Sequence, residues 1–351
     1  MRLLLSTLLL LPLASAYSWQ SLASLLSSPT TNLKGLAWKA THTTAGTAAV
    51  PLHLEEILTA AASLPNKASH GVLPVVLWHG MGDSCCDPHT TGAVKNYLQE
   101  QLGVYVHSIA TGNSEQHDVL SSFFGDVNDQ VAAVCAELRR IPELRNGFNA
   151  IGFSQGGQFM RAVVQRCQHT FEGKVVKLIT LGAQHQGVSN VPGCATVRDT
   201  AATSTCFLMQ ELLGHGAYLP YVRDHVVQAQ YFKDPDCLEE YRRSNPFLPD
   251  INNELLVKRQ QYKDNLASLE QLVLFRFADD ATVVPRDSAW FYFHDGKELL
   301  TLEEQAIYRE DWIGLRTLDE SHRLVLAEAP GAHMHFTMDW FEEHIVDKYL
   351  V

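Results

Sequence analysis

Gly152-Phe153-Ser154-Gln155-Gly156 is a G-x-S-x-G sequence that joins a strand-like run of residues to a helix-like run. An apolar run over residues 148–151 leads into it, and a helix-like run over residues 157–168 follows it. Such a sequence forms a sharp strand-to-helix turn that exposes the serine hydroxyl, because glycines on both sides let neighbouring backbone pass close by. The amide dipoles at the start of the helix favour the negative charge of an acyl-transfer intermediate. The motif therefore predicts a serine hydrolase with Ser154 as the nucleophile.

Short apolar runs of strand length recur along the chain and alternate with helical patterns. They lie at residues 74–78, 105–109, 175–181, 272–277 and 323–327. A helical spacing of apolar residues begins after Asp126, which suits an N-cap, and residues 339–350 predict a closing helix. Strands that alternate with helices favour a mostly parallel sheet with helices on both faces. The predicted fold class is α/β, as an α/β-hydrolase fold with an inserted cap region.

The alternation of strands and helices stops between about residues 187 and 270. Aromatic and aliphatic residues are frequent there, but no clear strand occurs. We expect a cap insertion that packs over the top of the sheet, above the serine. An ordinary set of core helices fits the periodicity equally well. The catalytic domain is predicted over residues 73–351, and residues 17–72, rich in Ser, Thr and Ala, are expected to form an N-terminal extension with some disorder.

The first sixteen residues have the pattern of a secretory signal peptide. Arg2 supplies a positive charge, residues 3–13 are an apolar core, and residues 14–16 are a small-residue cleavage site, so a mature chain would begin at Tyr17. This run is too short to span a bilayer and no later run is longer, so no transmembrane anchor is predicted. The net charge of -12, with no Lys/Arg cluster, argues against nucleic acid as a partner.

A signal peptide implies that the seven cysteines reside in an oxidising compartment. Disulfides are the usual state of cysteines there. None of the cysteines forms a C-x-x-C pair or clusters with histidines at zinc spacing, so we predict no metal site and no cofactor. An odd number leaves at least one free thiol, and Cys237 is the candidate.

An activated serine needs a base and an acid that orients the base. In α/β-hydrolases these follow the serine in the order acid, then histidine. Two adjacent acids, Asp279 and Asp280, directly follow a predicted strand, and the pattern does not choose between them; Asp287 is a weaker candidate. His333 comes directly after a turn signal beyond the last strand, and His335 is its competitor.

Two backbone amides are expected to hold the oxyanion of the intermediate. One belongs to Gln155, the residue after the nucleophile. The other should come from the glycine-rich loop over residues 79–82, which follows the first predicted strand, and Met81 is the expected donor. A simple tight glycine turn is the alternative interpretation of this loop.

Taken together, these residues resemble the lysosomal-type palmitoyl-protein thioesterases, from about Leu73 to the C-terminus. The segments that carry the resemblance are 77–86, 147–159, 161–163, 165–167, 182–187 and 287–291. The resemblance implies that Ser154, Asp280 and His333 are the nucleophile, acid and base, and that Met81 and Gln155 supply the oxyanion donors.

The resemblance also implies the reaction and its setting. The expected activity is removal of long-chain fatty acyl groups, palmitate above all, from S-acylated cysteines of proteins or peptides. Acyl-CoA is a further candidate substrate, and nucleic acid is not expected as a partner. The expected location is the secretory pathway, in the lumen of the lysosome or vacuole, with secretion as the alternative.

Three disulfides follow from the resemblance as well. They are Cys85–Cys86, Cys135–Cys167 and Cys194–Cys206, which again leaves Cys237 unpaired. The chain departs from the family pattern at Ala332, where an acidic residue is familiar, and in its longer N-terminal extension. Unlike the N-glycosylated animal members, it contains no N-x-Ser/Thr sequence.

Overall fold

Six parallel strands form the central sheet of the computed structural model, which describes residues 71–189 and 216–351. The sheet has the order β2-β1-β3-β4-β5-β8, and β6 and β7 form a separate antiparallel pair. The strands are β1 Val75–Trp78, β2 Val106–Ser108, β3 Phe148–Phe153, β4 Val175–Leu181, β5 Gln271–Phe277, β6 Phe293–His294, β7 Leu299–Leu300 and β8 Leu324–Ala329.

Helices connect these strands, as parallel neighbours require. They are α1 Thr91–Leu102, α2 Glu115–Ser121, α3 Val127–Leu138, α4 Gln155–Cys167, α5 Pro220–His225, α6 Leu238–Ser244, α7 Leu248–Ile251, α8 Gln260–Ala267, α9 Ala306–Arg309, α10 Leu315–Glu320 and α11 Met338–Phe341, which continues as a π-helix over Glu342–Leu350. Within the described ranges, no helix is both long and apolar enough to cross a membrane.

Two hydrophobic clusters lie on opposite faces of the sheet. Along β1, Val76 and Trp78 belong to one cluster, while Val75 and Leu77 belong to the other. This alternation follows from the two-residue period of a strand, and a strand with apolar residues on both faces must be covered on both. Helices α3 and α4 contribute to the first cluster, and α1 and the C-terminal helix contribute to the second. The predicted α/β-hydrolase class, with helices on both faces, is confirmed.

The predicted elements agree with the structure to within a few residues. Asp126 caps α3, since its side chain accepts the amide of Asn128. The closing helix differs in kind from the prediction: only Met338–Phe341 is α-helical, and the following nine residues form a π-helix. A short apolar pattern cannot distinguish these two helix types, because their turns differ by less than one residue.

The described part of the predicted cap packs against α4. Phe159 of α4 meets Phe247 edge-on with ring centroids 5.6 Å apart, and Tyr231 lies 6.3 Å away. All three side chains are buried in the same cluster as Trp78 of the sheet. A cap insertion and ordinary core helices would both pack in this way, so the predicted cap over residues 187–270 stays a prediction.

Several predictions lie outside the described residues. They concern the signal peptide over residues 1–16, the extension as far as residue 70, the cap over residues 190–215 and the Cys194–Cys206 disulfide. Cover of the serine by a cap remains a prediction for this reason.

The strand order identifies the edge of the sheet where a site is expected. From β1 the chain first adds β2 on one side and then returns to add β3 on the other. In open parallel sheets, ligands bind in the crevice at the carboxyl ends of the strands where the order reverses. That crevice lies beyond Trp78, the last residue of β1, and Phe153, the last residue of β3.

Candidate active site

Ser154 stands at the turn between β3 and α4. Its backbone has φ 52° and ψ -125°, a left-handed value that costs energy for a residue with a side chain. The turn is held at both ends: the Ser154 amide donates to Leu181 O at 2.8 Å, and the Gly157 amide donates to Ser154 O at 2.9 Å. These bonds hold Ser154 in the strand-to-helix turn that the motif predicts.

The two glycines of the motif are required by close backbone approach. A Cβ at Gly152 would lie 2.4 Å from the Cα of Gly157, and one at Gly156 would lie 2.4 Å from the carbonyl oxygen of Trp78. Real Cβ atoms do not tolerate such distances, and both neighbours are backbone that cannot rotate away. Hence α4 can begin directly against β1 and β3 only with glycine at both positions.

The structure brings Ser154, His333 and Asp280 together. Ser154 Oγ lies 2.9 Å from His333 Nε2, and His333 Nδ1 lies 2.7 Å from Asp280 Oδ2. Because a carboxylate only accepts, Nδ1 carries the proton and Nε2 is free to accept the serine hydroxyl. The ring of His333 also packs edge-on against Phe277 of β5, with centroids 6.0 Å apart.

The second oxygen of Asp280 fixes the orientation of its carboxylate. Asp280 Oδ1 accepts the amides of Thr282 at 2.8 Å and Val283 at 2.9 Å. The side chain is 1% exposed, against 12% for His333. The acid is therefore aimed at the imidazole by the main chain of its own loop.

The competing residues lie elsewhere. Asp279 and His335 are exposed, and Asp287 forms an ion pair with Arg276. None of the three touches Ser154 in the described structure.

The glycine-rich loop after β1 runs directly against the nucleophile. A Cβ at Gly80 would lie 3.2 Å from Ser154 Cβ. The amides of Met81 and Gln155 have no hydrogen-bond acceptor among residues 71–189 and 216–351, so both remain free to donate. The side chain of Gln155 is anchored away from the site, since its Nε2 donates to Ser122 O at 3.0 Å. The two amides predicted to hold the oxyanion are thus unpaired, and they belong to the residue after Gly80 and the residue after Ser154.

A sequence profile of the palmitoyl protein thioesterases matches residues 74–333. The chain belongs to the palmitoyl protein thioesterase family. Palmitoyl-protein thioesterase 1 of Caenorhabditis elegans is 44% identical over 283 residues, which cover 80% of this chain and 92% of that protein. Palmitoyl-protein thioesterase 3 of Dictyostelium discoideum is 34% identical over 266 residues, 74% of this chain and 84% of its own. A solved structure of RedJ, 14% identical, covers 87% of this chain and 96% of its own with a TM-score of 0.42.

In this member of the palmitoyl protein thioesterase family, a further side chain contacts the nucleophile. Gln184, in the loop after β4, donates from Nε2 to Ser154 Oγ at 3.1 Å and to Gly182 O at 3.1 Å. It is buried, and its Oε1 has no hydrogen-bond partner. Our reading of the sequence missed this residue. Two signals were present: its place after a buried strand, at the edge of the sheet where parallel strands carry their functional residues, and its place in the segment 182–187 that carries the family resemblance.

A buried ion pair supports the glycine-rich loop of this thioesterase fold. His79 and Asp118 are each 1% exposed, and His79 Nε2 lies 3.0 Å from Asp118 Oδ1. Burial alone would lower the pKa of His79, but the hydrogen bond and charge of Asp118, the Gly80 carbonyl and the charge of Asp83 together raise that pKa. Burial alone would raise the pKa of Asp118, but His79 and two backbone amides lower it. Each partner therefore shifts the pKa of the other in the direction that favours its charged form.

A cavity of about 530 Å³ opens beside the same loop. Its apolar wall consists of Met81, Val94, Phe153, Met334, Phe336 and Met338. A rim of polar side chains includes Asp83, Asp87 and His89. The volume lies within the range of small-molecule sites in proteins, about 300–1,000 Å³.

Four of the five cysteines in the described ranges form two disulfide bonds. Cys85 is bonded to Cys86, next to the glycine-rich loop, and Cys135 of α3 is bonded to Cys167 at the end of α4. Cys237 is free and exposed. Within the described ranges, no cluster of three or more His, Cys, Asp or Glu could hold a metal ion.

Proposed function

We propose that this chain is a serine thioesterase that hydrolyses the long-chain acyl thioester on cysteines of S-acylated proteins or peptides. The observation that carries the proposal is the chain of contacts from Ser154 Oγ to His333 Nε2 at 2.9 Å and from His333 Nδ1 to Asp280 Oδ2 at 2.7 Å. Membership of the palmitoyl protein thioesterase family supports the proposed substrate class.

The reaction begins with attack of Ser154 Oγ on the thioester carbonyl carbon. His333 Nε2 takes the serine proton, and Asp280 holds the imidazole in the right tautomer and stabilises the imidazolium that forms. The amides of Met81 and Gln155 donate to the oxyanion. The carbon–sulfur bond then breaks, and the sulfur leaves with the proton from His333.

The second half of the reaction frees the enzyme. Water enters the place of the departed thiol, gives a proton to His333 and attacks the acyl-serine carbonyl. The bond to Ser154 Oγ breaks, the oxygen recovers the proton, and the fatty acid leaves. A cysteine thiol, with a pKa of roughly 8.5, is a better leaving group than an alcohol, so the first half needs little acid assistance.

An acylated substrate needs an apolar surface close to the nucleophile. The 530 Å³ cavity can provide one, because its wall includes Met81, the expected oxyanion donor, and Phe153, the residue before Ser154. Each buried CH₂ contributes about 0.8 kcal/mol, so a long chain gains more than a short one. Preference for long chains is the expected consequence, and acyl-CoA has the same thioester and acyl chain.

The secretory pathway, with the lysosome or vacuole lumen as its destination, is the proposed location. The signal-peptide pattern over residues 1–16 supports it. Two disulfides support it as well, Cys85–Cys86 and Cys135–Cys167, since such bonds persist in oxidising compartments. The proposed organisation is a catalytic domain over residues 73–351 that follows an N-terminal extension.

The test compares a cysteine peptide carrying a palmitoyl thioester with the matched serine peptide carrying the oxygen ester. Wild type and Ser154→Ala are assayed together, with Ser189→Ala as a control outside the contacts described above. Turnover of the thioester in preference to the ester, lost in Ser154→Ala alone, is expected. Preference for the oxygen ester would make the protein an esterase, and turnover that survives Ser154→Ala would exclude the nucleophile.

A further inference from the structure

His79 lies between two groups that can only accept hydrogen bonds. Its Nδ1 is 2.9 Å from the carbonyl oxygen of Gly80, and its Nε2 is 3.0 Å from Asp118 Oδ1. A neutral imidazole carries a proton on one nitrogen only, so it can satisfy one of these acceptors and must oppose the other. The ring is buried, so water cannot relieve that opposition.

The contacts of Asp118 show that its carboxyl group is ionised. Oδ1 accepts the amide of Thr111 at 2.7 Å and its hydroxyl at 2.8 Å, and Oδ2 accepts the amide of Cys85 at 2.7 Å. Backbone N–H groups at both oxygens favour the carboxylate, and the proton between Oδ1 and His79 Nε2 belongs to the imidazole, because histidine is a stronger base than a carboxylate. Asp118 is thus a carboxylate, and His79 must carry protons on both nitrogens.

We propose that His79 is a positioning residue: as an imidazolium anchored on Asp118, it orients the Gly80–Met81 peptide so that the Met81 amide faces the oxyanion. The carbonyl that His79 holds and the amide that would bind the oxyanion belong to the same peptide group. In a trans peptide the C=O and N–H bonds are rigidly opposed, so fixing the Gly80 oxygen fixes the direction of the Met81 N–H. This role rests on the thioesterase activity proposed above.

The Gly80 carbonyl has little other support. Its second contact is the amide of Asp83 at 3.5 Å, a weak hydrogen bond. The anchor, in contrast, is tied to three separate parts of the chain: Asp118 joins His79, Thr111 and Cys85 of the Cys85–Cys86 disulfide. Loss of the Nδ1 proton would set the lone pairs of Nδ1 and of the Gly80 oxygen against each other at 2.9 Å. The Gly80–Met81 peptide would then rotate, and the Met81 N–H would no longer face the oxyanion.

The proposal gives an alkaline limit to activity. The charged groups that act on His79 are Asp118 on α2 and Asp83 in the same loop, and both favour the imidazolium. Because these groups raise the pKa of His79, the imidazolium is lost at a higher pH than that of an ordinary histidine. The rate of the chemical step should fall there, while substrate binding in the apolar cavity should not.

The protonation state of His79 can be measured directly in the wild-type protein. ¹⁵N-labelled full-length protein, assigned by comparison with His79→Gln, should show His79 with protons on both ring nitrogens at pH 7. A single proton at that pH would overturn the proposal, whether or not the protein proves to be a thioesterase.

The kinetic test uses His79→Gln, with exposed His294→Gln as the matched control. Glutamine can donate to the Gly80 carbonyl or to Asp118, but not to both. Loss of a whole oxyanion donor costs 10²–10³-fold in kcat, so misalignment of one should lower kcat by roughly 10–100-fold, with KM changed less than about twofold. The alkaline fall in kcat should disappear in His79→Gln and persist in His294→Gln.

Affinity for an inhibitor that mimics the oxyanion separates positioning from general loss of structure. A long-chain trifluoromethyl ketone, which forms a tetrahedral adduct with serine, should bind His79→Gln more weakly by the same factor as the loss in kcat. A non-hydrolysable thioether analogue of the substrate should bind both proteins equally. Equal losses for both ligands, or an unchanged alkaline fall in kcat, would refute the positioning role. A wild type without thioesterase activity would instead refute the proposed function.

Discussion

Replacement of Asp280 by asparagine should reverse the tautomer of His333 without disturbing the fold. Asp280 Oδ1 accepts the amides of Thr282 and Val283, at 2.8 and 2.9 Å. In Asp280→Asn these two donors keep the amide oxygen where Oδ1 now lies, so the NH₂ group must take the place of Oδ2, 2.7 Å from His333 Nδ1. That NH₂ group can only donate, which forces the imidazole proton onto Nε2.

The consequence is a histidine that cannot accept the hydroxyl proton of Ser154, although all distances are retained. A wrong tautomer of this kind lowers kcat by about 10⁴-fold in serine hydrolases, which is about 5 kcal/mol in the barrier. Oδ1 keeps both acceptor bonds, so the free energy of unfolding should change by no more than about 1 kcal/mol.

The assay is steady-state hydrolysis of a palmitoyl-cysteine peptide, with urea denaturation of the same preparations. Asp279→Asn is the matched control, because Asp279 is the exposed neighbour and the competing candidate in the sequence. It should retain full activity. Activity of Asp280→Asn within tenfold of wild type, at equal stability, would refute the reasoning. A large loss of activity in Asp279→Asn would show that Asp279, and not Asp280, is the acid.

Three further predictions concern stability. Phe247→Ala removes a fully buried ring that packs on α4 and should lower the free energy of unfolding by about 3–5 kcal/mol in urea denaturation; a loss below 1 kcal/mol would contradict the core packing described for residues 216–270. Replacing Cys135 and Cys167 together by serine opens a loop with a sequence separation of 32 and should cost about 3–4 kcal/mol, and an unchanged urea midpoint would show that the bond does not constrain the unfolded chain. The His79–Asp118 pair should stabilise the folded protein only within a bounded pH window. Because the pKa of His79 is raised, the stability that His79 contributes is complete at acidic pH and is lost as the pH rises through that pKa. Because the pKa of Asp118 is lowered, the stability that Asp118 contributes is lost as the pH falls through the pKa of Asp118. Unfolding of wild type and Asp118→Asn across pH should show a difference that shrinks at both ends, and a difference independent of pH would contradict the charged state of the pair.

The parts of the fold that could be predicted from sequence are those with a local signal. Strands such as β1 and β3 are buried along their whole length and lie in apolar runs, so the number and order of the strands in the sheet follow from the sequence. Ser154 could be located because the turn requires glycine at positions 152 and 156, a demand that the structure explains by distances of 2.4 Å. The π-helix over Glu342–Leu350 had no local signal of its own.

Residues brought together by long-range contacts could not be identified in the same way. Asp279 and Asp280 follow the same strand, and periodicity ends where the turn begins, so only the family resemblance favoured Asp280. In the structure, hydrogen bonds from two backbone amides of the same turn hold the Asp280 carboxylate in place. Asp118 and Gln184 act through contacts across 39 and 30 residues of sequence, and no spacing rule connects them to His79 or Ser154.

Half of the six methionines in the sequence stand in the wall of one cavity, as Met81, Met334 and Met338. A thioether side chain turns about three bonds and has a soft, polarizable surface, so such a wall re-forms around guests of different outline. Kinked and straight hydrocarbon tails should therefore be handled with similar ease, because the lining adapts rather than selects by shape. The same choice of side chain carries a chemical liability: oxidation of these sulfurs would make the wall polar and rigid, and peroxide should reduce affinity for hydrocarbon before it unfolds the protein.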